Sequence, residues 1–160
     1  MVAQRAEKAY EKHAWILLFA PGFVAFIVAI TFLLSGFGII GFADPDLLKN
    51  NGVTWNEVVA GSPGLANVIL TLLILVGIFF VGFTTFVMVI SRVSYRRGER
   101  WAWYALWYFP IVTAYLASIA LSHGAATGIL LSTPLLIMSL LGLLLPYRKF
   151  FPKVSATGRA

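Results

Sequence analysis

Four long apolar stretches divide the chain into five polar segments. The apolar stretches cover about residues 15–35, 64–90, 101–121 and 125–146, and none of them contains a charged residue. Each has about 20 residues or more, which is the length that an α-helix needs to cross a hydrocarbon core of about 30 Å. The pattern therefore predicts an all-α polytopic membrane protein, in which residues 1–160 form a single domain of four transmembrane helices.

Lys and Arg gather in alternate polar segments. They lie in the N-terminal tail, in the connection 91–100 and in the C-terminal tail, whereas the connection 36–63 holds only Lys49 and the turn 122–124 holds none. Cytoplasmic segments of membrane proteins carry an excess of Lys and Arg. We therefore expect both termini in the cytoplasm (N-in, C-in) and the connection 36–63 on the other side of the membrane.

The composition agrees with lipid as the solvent and excludes several kinds of site. Hydrophobic residues make up 60% of the chain and charged residues 11%, too apolar a balance for a soluble globular domain. Cysteine is absent, which excludes disulfides, thiolate metal sites and Cys nucleophiles. The net charge of +6 sits beside the membrane spans, so we expect anionic lipid headgroups on the cytoplasmic side as partners, and not nucleic acid.

The connection between the first two spans is expected to be a short helical extracytoplasmic loop. Thr54 followed by Glu57 at the third position matches a capping box, and Ser62 before Pro63 marks the start of the second span. An apolar side of this loop could close as a lid on its own bundle, dock a partner subunit or gate a substrate path. The candidate docking residues are Leu47, Leu48, Trp55, Val58 and Val59.

The segment 95–108 combines arginines with Trp and Tyr at the predicted start of the third span. Arginines suit the headgroup layer, and amphipathic rings favour the boundary between water and hydrocarbon. The segment could anchor the span, capture an anionic lipid, or hold a quinone or another planar ligand against its rings. Its candidate residues are Arg96, Arg97, Arg100, Trp101, Trp103, Tyr104, Trp107 and Tyr108.

Small residues at four-residue spacing mark the last two spans. Gly124 and Gly128 begin the fourth span, and Ala114 and Ser118 lie on the third. Such spacing lets helix backbones approach closely, so we expect these residues to pack the two spans together as a hairpin. Oligomerisation through the same face is the alternative.

Chemistry-bearing side chains are sparse inside the spans. Ion-coupled transporters usually keep a charged residue or a His within the membrane, and none lies in these spans. Their Thr and Ser residues supply hydroxyls, and Pro21, Pro110 and Pro134 bend the helices. The two histidines, His13 and His123, lie near opposite membrane faces and cannot form a bis-histidine haem site in one chain. We predict no catalytic, cofactor-binding or metal-binding residues, and therefore no enzyme.

The segment RRGERWAWY, with the C-terminal stretch 142–152, resembles uncharacterised small four-helix integral membrane proteins of prokaryotes. The resemblance covers about a quarter of the chain, and its motifs are those of the membrane interface. It implies an integral protein of a prokaryotic cytoplasmic membrane. It implies no activity and no functional residue.

These features favour a non-catalytic accessory or structural subunit of a larger membrane complex, for example a bioenergetic one. Other membrane protein subunits would then be its partners, together with lipids. The alternative is a small homo-oligomeric carrier or channel for an apolar or neutral solute. A second alternative is a lipid- or quinone-interacting membrane enzyme, for which no nucleophile, base and orienting group can be named together.

Overall fold

The computed structural model describes residues 13–41, 48 and 50–152, and every regular element in them is helical. The helices are α1 Ile16–Gly36, α2 Trp55–Gly61, α3 Pro63–Ile90, α4 Arg100–Leu106, α5 Tyr108–Ser122, α6 Ala126–Leu144 and α7 Tyr147–Phe150. The α3 helix continues into a π-helical turn, Ser91–Tyr95.

Within the described residues, four segments are long and apolar enough to cross a membrane, which confirms the predicted number of spans and the all-helical class. They are Ile16–Gly36, Pro63–Tyr95, Arg100–Ser122 and Ala126–Phe150. We call the end of the bundle that carries Arg92, Arg96 and Arg100 the basic end, and the opposite end, with the α5–α6 turn, the turn end. The predicted orientation of the termini stays a prediction, because residues 1–12 and 153–160 lie outside the described part.

Local sequence signals account for several helix boundaries. Ser62 caps α3 by accepting a hydrogen bond from the Leu65 amide at 3.4 Å, and Pro63 occupies the first turn as predicted. The third span is not one continuous helix, since it breaks at Trp107 between α4 and α5. Pro110 explains this break because it has no N–H to donate one turn back.

The α1 and α3 helices form an antiparallel pair with closely approaching backbones. Small residues on α1 recur every seven positions at Gly22, Ala29 and Gly36, and all three are buried. A Cβ atom added at Gly77 of α3 would lie 3.0 Å from the backbone nitrogen of Leu33 on α1. A small residue every seventh position keeps one face of a helix turned toward its partner. The corresponding buried series is Gly77 and Thr84 on α3 and Ser91 at the start of its π-helical continuation.

The packed core lies at the basic end. Leu18, Leu106, Leu143 and Phe150 are each no more than 1% exposed and belong to one cluster that joins α1 to α4, α6 and α7. A Cβ atom at Gly142 of α6 would lie 2.9 Å from Leu18, so α1 and α6 also meet closely at this end. The two helix pairs, α1 with α3 and α5 with α6, are therefore joined most firmly at the basic end.

Candidate functional site

The interface residues of the third span divide between an exposed side and an inward side. Trp101, Tyr104 and Tyr108 are 53%, 60% and 60% exposed, whereas Trp103 and Trp107 are half-buried. This division follows helical spacing, which places the two tryptophans on one side and the other three rings on another. The exposed rings are available to lipid and the inward rings pack on protein.

Trp103 and Tyr95 attach the third and second spans to the end of α6. The indole Nε1 of Trp103 donates to the Leu143 carbonyl at 3.0 Å, and the Tyr95 hydroxyl donates to the Gly142 carbonyl. Both acceptors lie in the last turn of α6, where the backbone carbonyls have no amide partner within the helix. The two side chains therefore hold the basic end of α6 by its backbone.

The short α7 helix docks on the same arginine-rich segment. Arg100 donates through Nε to the Phe150 carbonyl at 3.0 Å, and Lys149 donates through Nζ to the Arg96 carbonyl at 3.1 Å. The guanidinium of Arg100 also lies 5.7 Å from the centre of the Phe151 ring, within cation–π range. Arg100 is thus engaged in holding α7, a role that its position in the sequence did not reveal.

Trp103 is the centre of an aromatic cluster at the basic end. Its ring centroid lies 5.5 Å from that of Trp107, 5.2 Å from that of Phe151 and 5.9 Å from that of Tyr147. These edge-to-face pairs contribute about 0.5–1.5 kcal/mol each beyond the burial of their area. These rings therefore pack on one another as part of the fold, and do not only line the membrane interface.

Three exposed arginines surround a concave basic surface at the end of α3. Arg92, Arg96 and Arg97 line a concavity of ≈ 400 Å³ together with Val93. Arg96 is also held in place, because its guanidinium lies 5.6 Å from the centre of the Trp15 ring. Arg96 and Arg97 were predicted to contact headgroups, and Arg92 joins them here in the structure.

The α5–α6 hairpin closes through one of the predicted small residues. A Cβ atom at Gly128 would lie 2.8 Å from that of Ala120, so these two positions make the close approach. Gly124 has a φ of +64° in the turn, a conformation that favours glycine. Ala114 and Ser118 are exposed, and the small residue that α5 presents to Gly128 is therefore Ala120, which the four-residue spacing did not include.

The loop between α1 and α3 contacts the α5–α6 turn. The side-chain amide of Asn50 donates to the Gly124 carbonyl at 2.8 Å and to the His123 carbonyl at 3.3 Å. Of the predicted docking residues, Leu48, Trp55 and Val58 are half-buried, Val59 is exposed, and Leu47 lies outside the described residues. The predicted capping box of α2 is present, with reciprocal bonds between Thr54 and Glu57.

A cavity of ≈ 480 Å³ lies between the two helix pairs, on the turn-end side of the packed core. Residues of α1, α3, α5 and α6 line it, and His123 and Ala125 lie at its turn end. The rings of Phe83 and Phe109 also line the cavity and lie 6.1 Å apart, where α3 meets α5. No sequence pattern indicates this cavity, because it depends on how the two helix pairs are placed relative to each other.

The wall of the cavity carries hydroxyl groups that are already hydrogen-bonded. Each of four such hydroxyls donates to a carbonyl three or four residues earlier in its own helix, at 2.7 to 2.8 Å. A hydroxyl used in this way offers the cavity its methyl or methylene side and no free proton. The residues are Thr31, Thr84, Thr113 and Ser132.

Comparison of the chain with protein-family models, with curated proteins and with solved structures finds no match.

Proposed function

We propose that the protein is a non-catalytic accessory subunit of a larger complex in the cytoplasmic membrane of a prokaryote, for example a bioenergetic complex. It has both termini in the cytoplasm, and it contributes helix packing and lipid contacts. Other membrane subunits of the complex are its partners.

Exposed apolar side chains beyond the ends of the spans carry this proposal. Phe37 and Ile39 follow the last residue of α1 and are 63% and 67% exposed, and Val59 on α2 is 41% exposed. These residues lie outside the segments that are long and apolar enough to span a membrane, and exposed apolar surface bordered by polar residues is typical of sites that meet protein or a membrane surface. A neighbouring subunit at the turn end would bury these side chains.

The concave basic surface supports a lipid contact at the other end. Arg92, Arg96 and Arg97 stand together beside exposed interfacial rings, and a basic residue near an anionic surface contributes about 1 kcal/mol to its attraction. Anionic headgroups seated among these arginines would fix the height of the second and third spans in the membrane. The three arginines are already exposed, so a headgroup can reach them without any rearrangement of the protein.

The native mass of the protein, extracted gently from its own membranes, tests the subunit role. We expect it to migrate with heavier partner subunits that mass spectrometry identifies. The variant Val59→Asp puts a charge on the exposed apolar side of α2 and should reduce the recovery of those partners several-fold. Ala60→Asp places the same charge on a neighbouring exposed position and serves as the matched control.

Two results would contradict the subunit role. The first is a lone monomer or a homo-oligomer after gentle extraction. The second is an equal loss of partners in Val59→Asp and Ala60→Asp, since that would show a general effect of added charge.

The cavity favours a second candidate, a small carrier for an apolar or neutral solute. Its wall is apolar and it reaches the turn end, as an entry site for such a solute would. The packed core closes the basic end, so transport requires the helix pairs to separate there. Solute flux into proteoliposomes is the measurement, and no flux across a broad panel of neutral solutes would exclude this candidate.

A further inference from the structure

We propose that the cavity between the helix pairs is a binding site for one hydrocarbon chain of a membrane lipid, acyl or isoprenoid. The chain enters from the leaflet at the turn end, through an opening between α3 and α5. This site is independent of partner subunits, because one copy of the chain supplies every wall residue.

The dimensions of the cavity suit a single chain and exclude a helix. Its lining on α5 runs from Phe109 to Ala120, about 16 Å along the helix axis. A volume of ≈ 480 Å³ over that length gives a mean cross-section of about 30 Å² for the centres of water-sized groups. Adding their radius of about 1.4 Å gives an outer cross-section of about 60 Å², whereas an α-helix at least 10 Å across needs about 80 Å² or more. A partner's transmembrane helix therefore does not fit, and a narrow flexible chain does.

The chemistry of the wall selects for a ligand without polar groups along its length. The hydroxyls of Thr84 and Thr113, near the middle of the cavity, are bonded to carbonyls of their own helices. A hydrogen-bond acceptor placed beside them would lose its bonds to water and find no free donor. Phe80, Val112 and Leu135 supply much of the remaining wall, and burying methylene groups against such side chains is favourable.

The opening lies on the side where α3 faces α5. Val76 on α3 and Leu116 on α5 line the cavity and are 41% and 39% exposed, as residues beside an opening between these two helices would be. The same two helices meet at Phe83, whose ring centroid lies 5.5 Å from that of Tyr108, and this contact closes the opening toward the basic end. An entry between α3 and α5 therefore lies in the turn-end half of the membrane.

The headgroup of the bound lipid then lies beside the α5–α6 turn. His123 borders the cavity there, and its Nδ1 lies 3.0 Å from both the Ser122 hydroxyl and the Ile119 carbonyl. A neutral ring that donates from Nδ1 to the carbonyl carries an acceptor at Nε2. The polar end of the lipid meets this ring, while its chain fills the apolar space below.

Photolabelling of the purified protein tests the site. The protein is inserted into phosphatidylglycerol vesicles that contain a trace of the same lipid with a diazirine at the end of one acyl chain. We expect labels on inward-facing residues such as Val28 and Leu135 in addition to those on outward-facing residues such as Phe79 and Leu130. Peptide mass spectrometry identifies the labelled positions.

A cavity-filling variant and its neighbour provide the matched comparison. Val112→Phe places a ring inside the cavity and should reduce inward labelling about tenfold, because the ring displaces about two methylenes of the chain. Ile111→Phe places the same ring on the adjacent, exposed position and should leave the labelling unchanged. Ala25→Leu fills the cavity from α1 and replaces Val112→Phe if circular dichroism shows that the latter does not fold.

Labels confined to outward-facing residues would overturn the proposal. Equal inward labelling in the cavity-filling variant and in Ile111→Phe would also overturn it. Neither result bears on the subunit role, which the native mass decides.

Discussion

A methyl group added at Gly77 tests whether α1 and α3 are packed as closely as the structure shows. The new Cβ atom would lie 2.7 Å from Cγ and 2.8 Å from Cδ2 of Leu33, and 3.0 Å from the backbone nitrogen of that residue. Carbon atoms in good contact lie about 3.5–4.0 Å apart, so the Leu33 side chain would have to retreat by about 1 Å. Its backbone nitrogen can move only if α1 moves with it.

The expected cost follows from two opposing effects. Added volume in a well-packed contact typically costs about 1–3 kcal/mol. Replacing Gly by Ala within a helix favours the helical state by up to about 1 kcal/mol, as measured in water. We therefore expect Gly77→Ala to lower the free energy of unfolding by about 1–2 kcal/mol.

Gly82 provides the control within the same helix. A Cβ atom at Gly82 meets nothing within 4 Å, so Gly82→Ala gains helix propensity without a clash. Unfolding in mixed micelles with increasing dodecyl sulfate, followed by circular dichroism, gives the midpoint for each variant. Leu33→Ala combined with Gly77→Ala should restore part of the lost stability, because it removes the clashing side chain and leaves only the backbone contact.

Equal midpoints for Gly77→Ala and Gly82→Ala would refute the reasoning. They would mean that α1 and α3 lie farther apart than the structure places them, or that α1 moves aside at negligible cost.

Two further predictions concern the basic end and α2. Trp103→Phe removes the donor to the Leu143 carbonyl and should cost about 1–3 kcal/mol in the same unfolding assay, whereas Trp107→Phe should be neutral or stabilising. The reason is that the buried Nε1 of Trp107 has no hydrogen-bond partner among the described residues. A larger loss of stability in Trp107→Phe than in Trp103→Phe would contradict this account. Hydrogen bonds from the backbone and side chain of Thr54 hold the pKa of Glu57 below its usual value. The capping box therefore stabilises α2 fully at a pH above the unfolded-state pKa of about 4.3. This stabilisation is lost as the pH falls through the lower pKa of the folded state. Amide hydrogen exchange should show α2 losing protection in acid, with Glu57→Gln showing less pH dependence, and protection that does not change with pH would count against it.

Part of the helix packing can be recognised from the amino-acid sequence. Gly22, Ala29 and Gly36 recur every seven residues, and this repeat is a readable signal for a close helix pair. The four-residue spacing of Ala114 and Ser118 predicts a contact on a face of α5 that is exposed, whereas Ala120 makes the contact with Gly128. Both patterns were present in the sequence, and only one of them faces a neighbouring helix.

The amino-acid sequence by itself determined the number of spans, their approximate limits, the capping box of α2 and the start of α3 at Pro63. These features depend on local quantities, because transfer of an apolar stretch into lipid and the capping of a helix end involve residues close together in the chain. The inward and outward sides of the aromatic segment also followed from helical spacing alone.

The tertiary structure alone decided which helix faces meet, how α7 docks on Arg100, and where the cavity lies. Lipid tails are as apolar as leucine, so a membrane helix does not reveal its inward face by hydrophobic periodicity as a helix in water does. The cavity arises because two helix pairs join at a packed core at the basic end and meet less closely at the turn end. That difference is a property of contacts between residues far apart in the chain, and no local pattern encodes it.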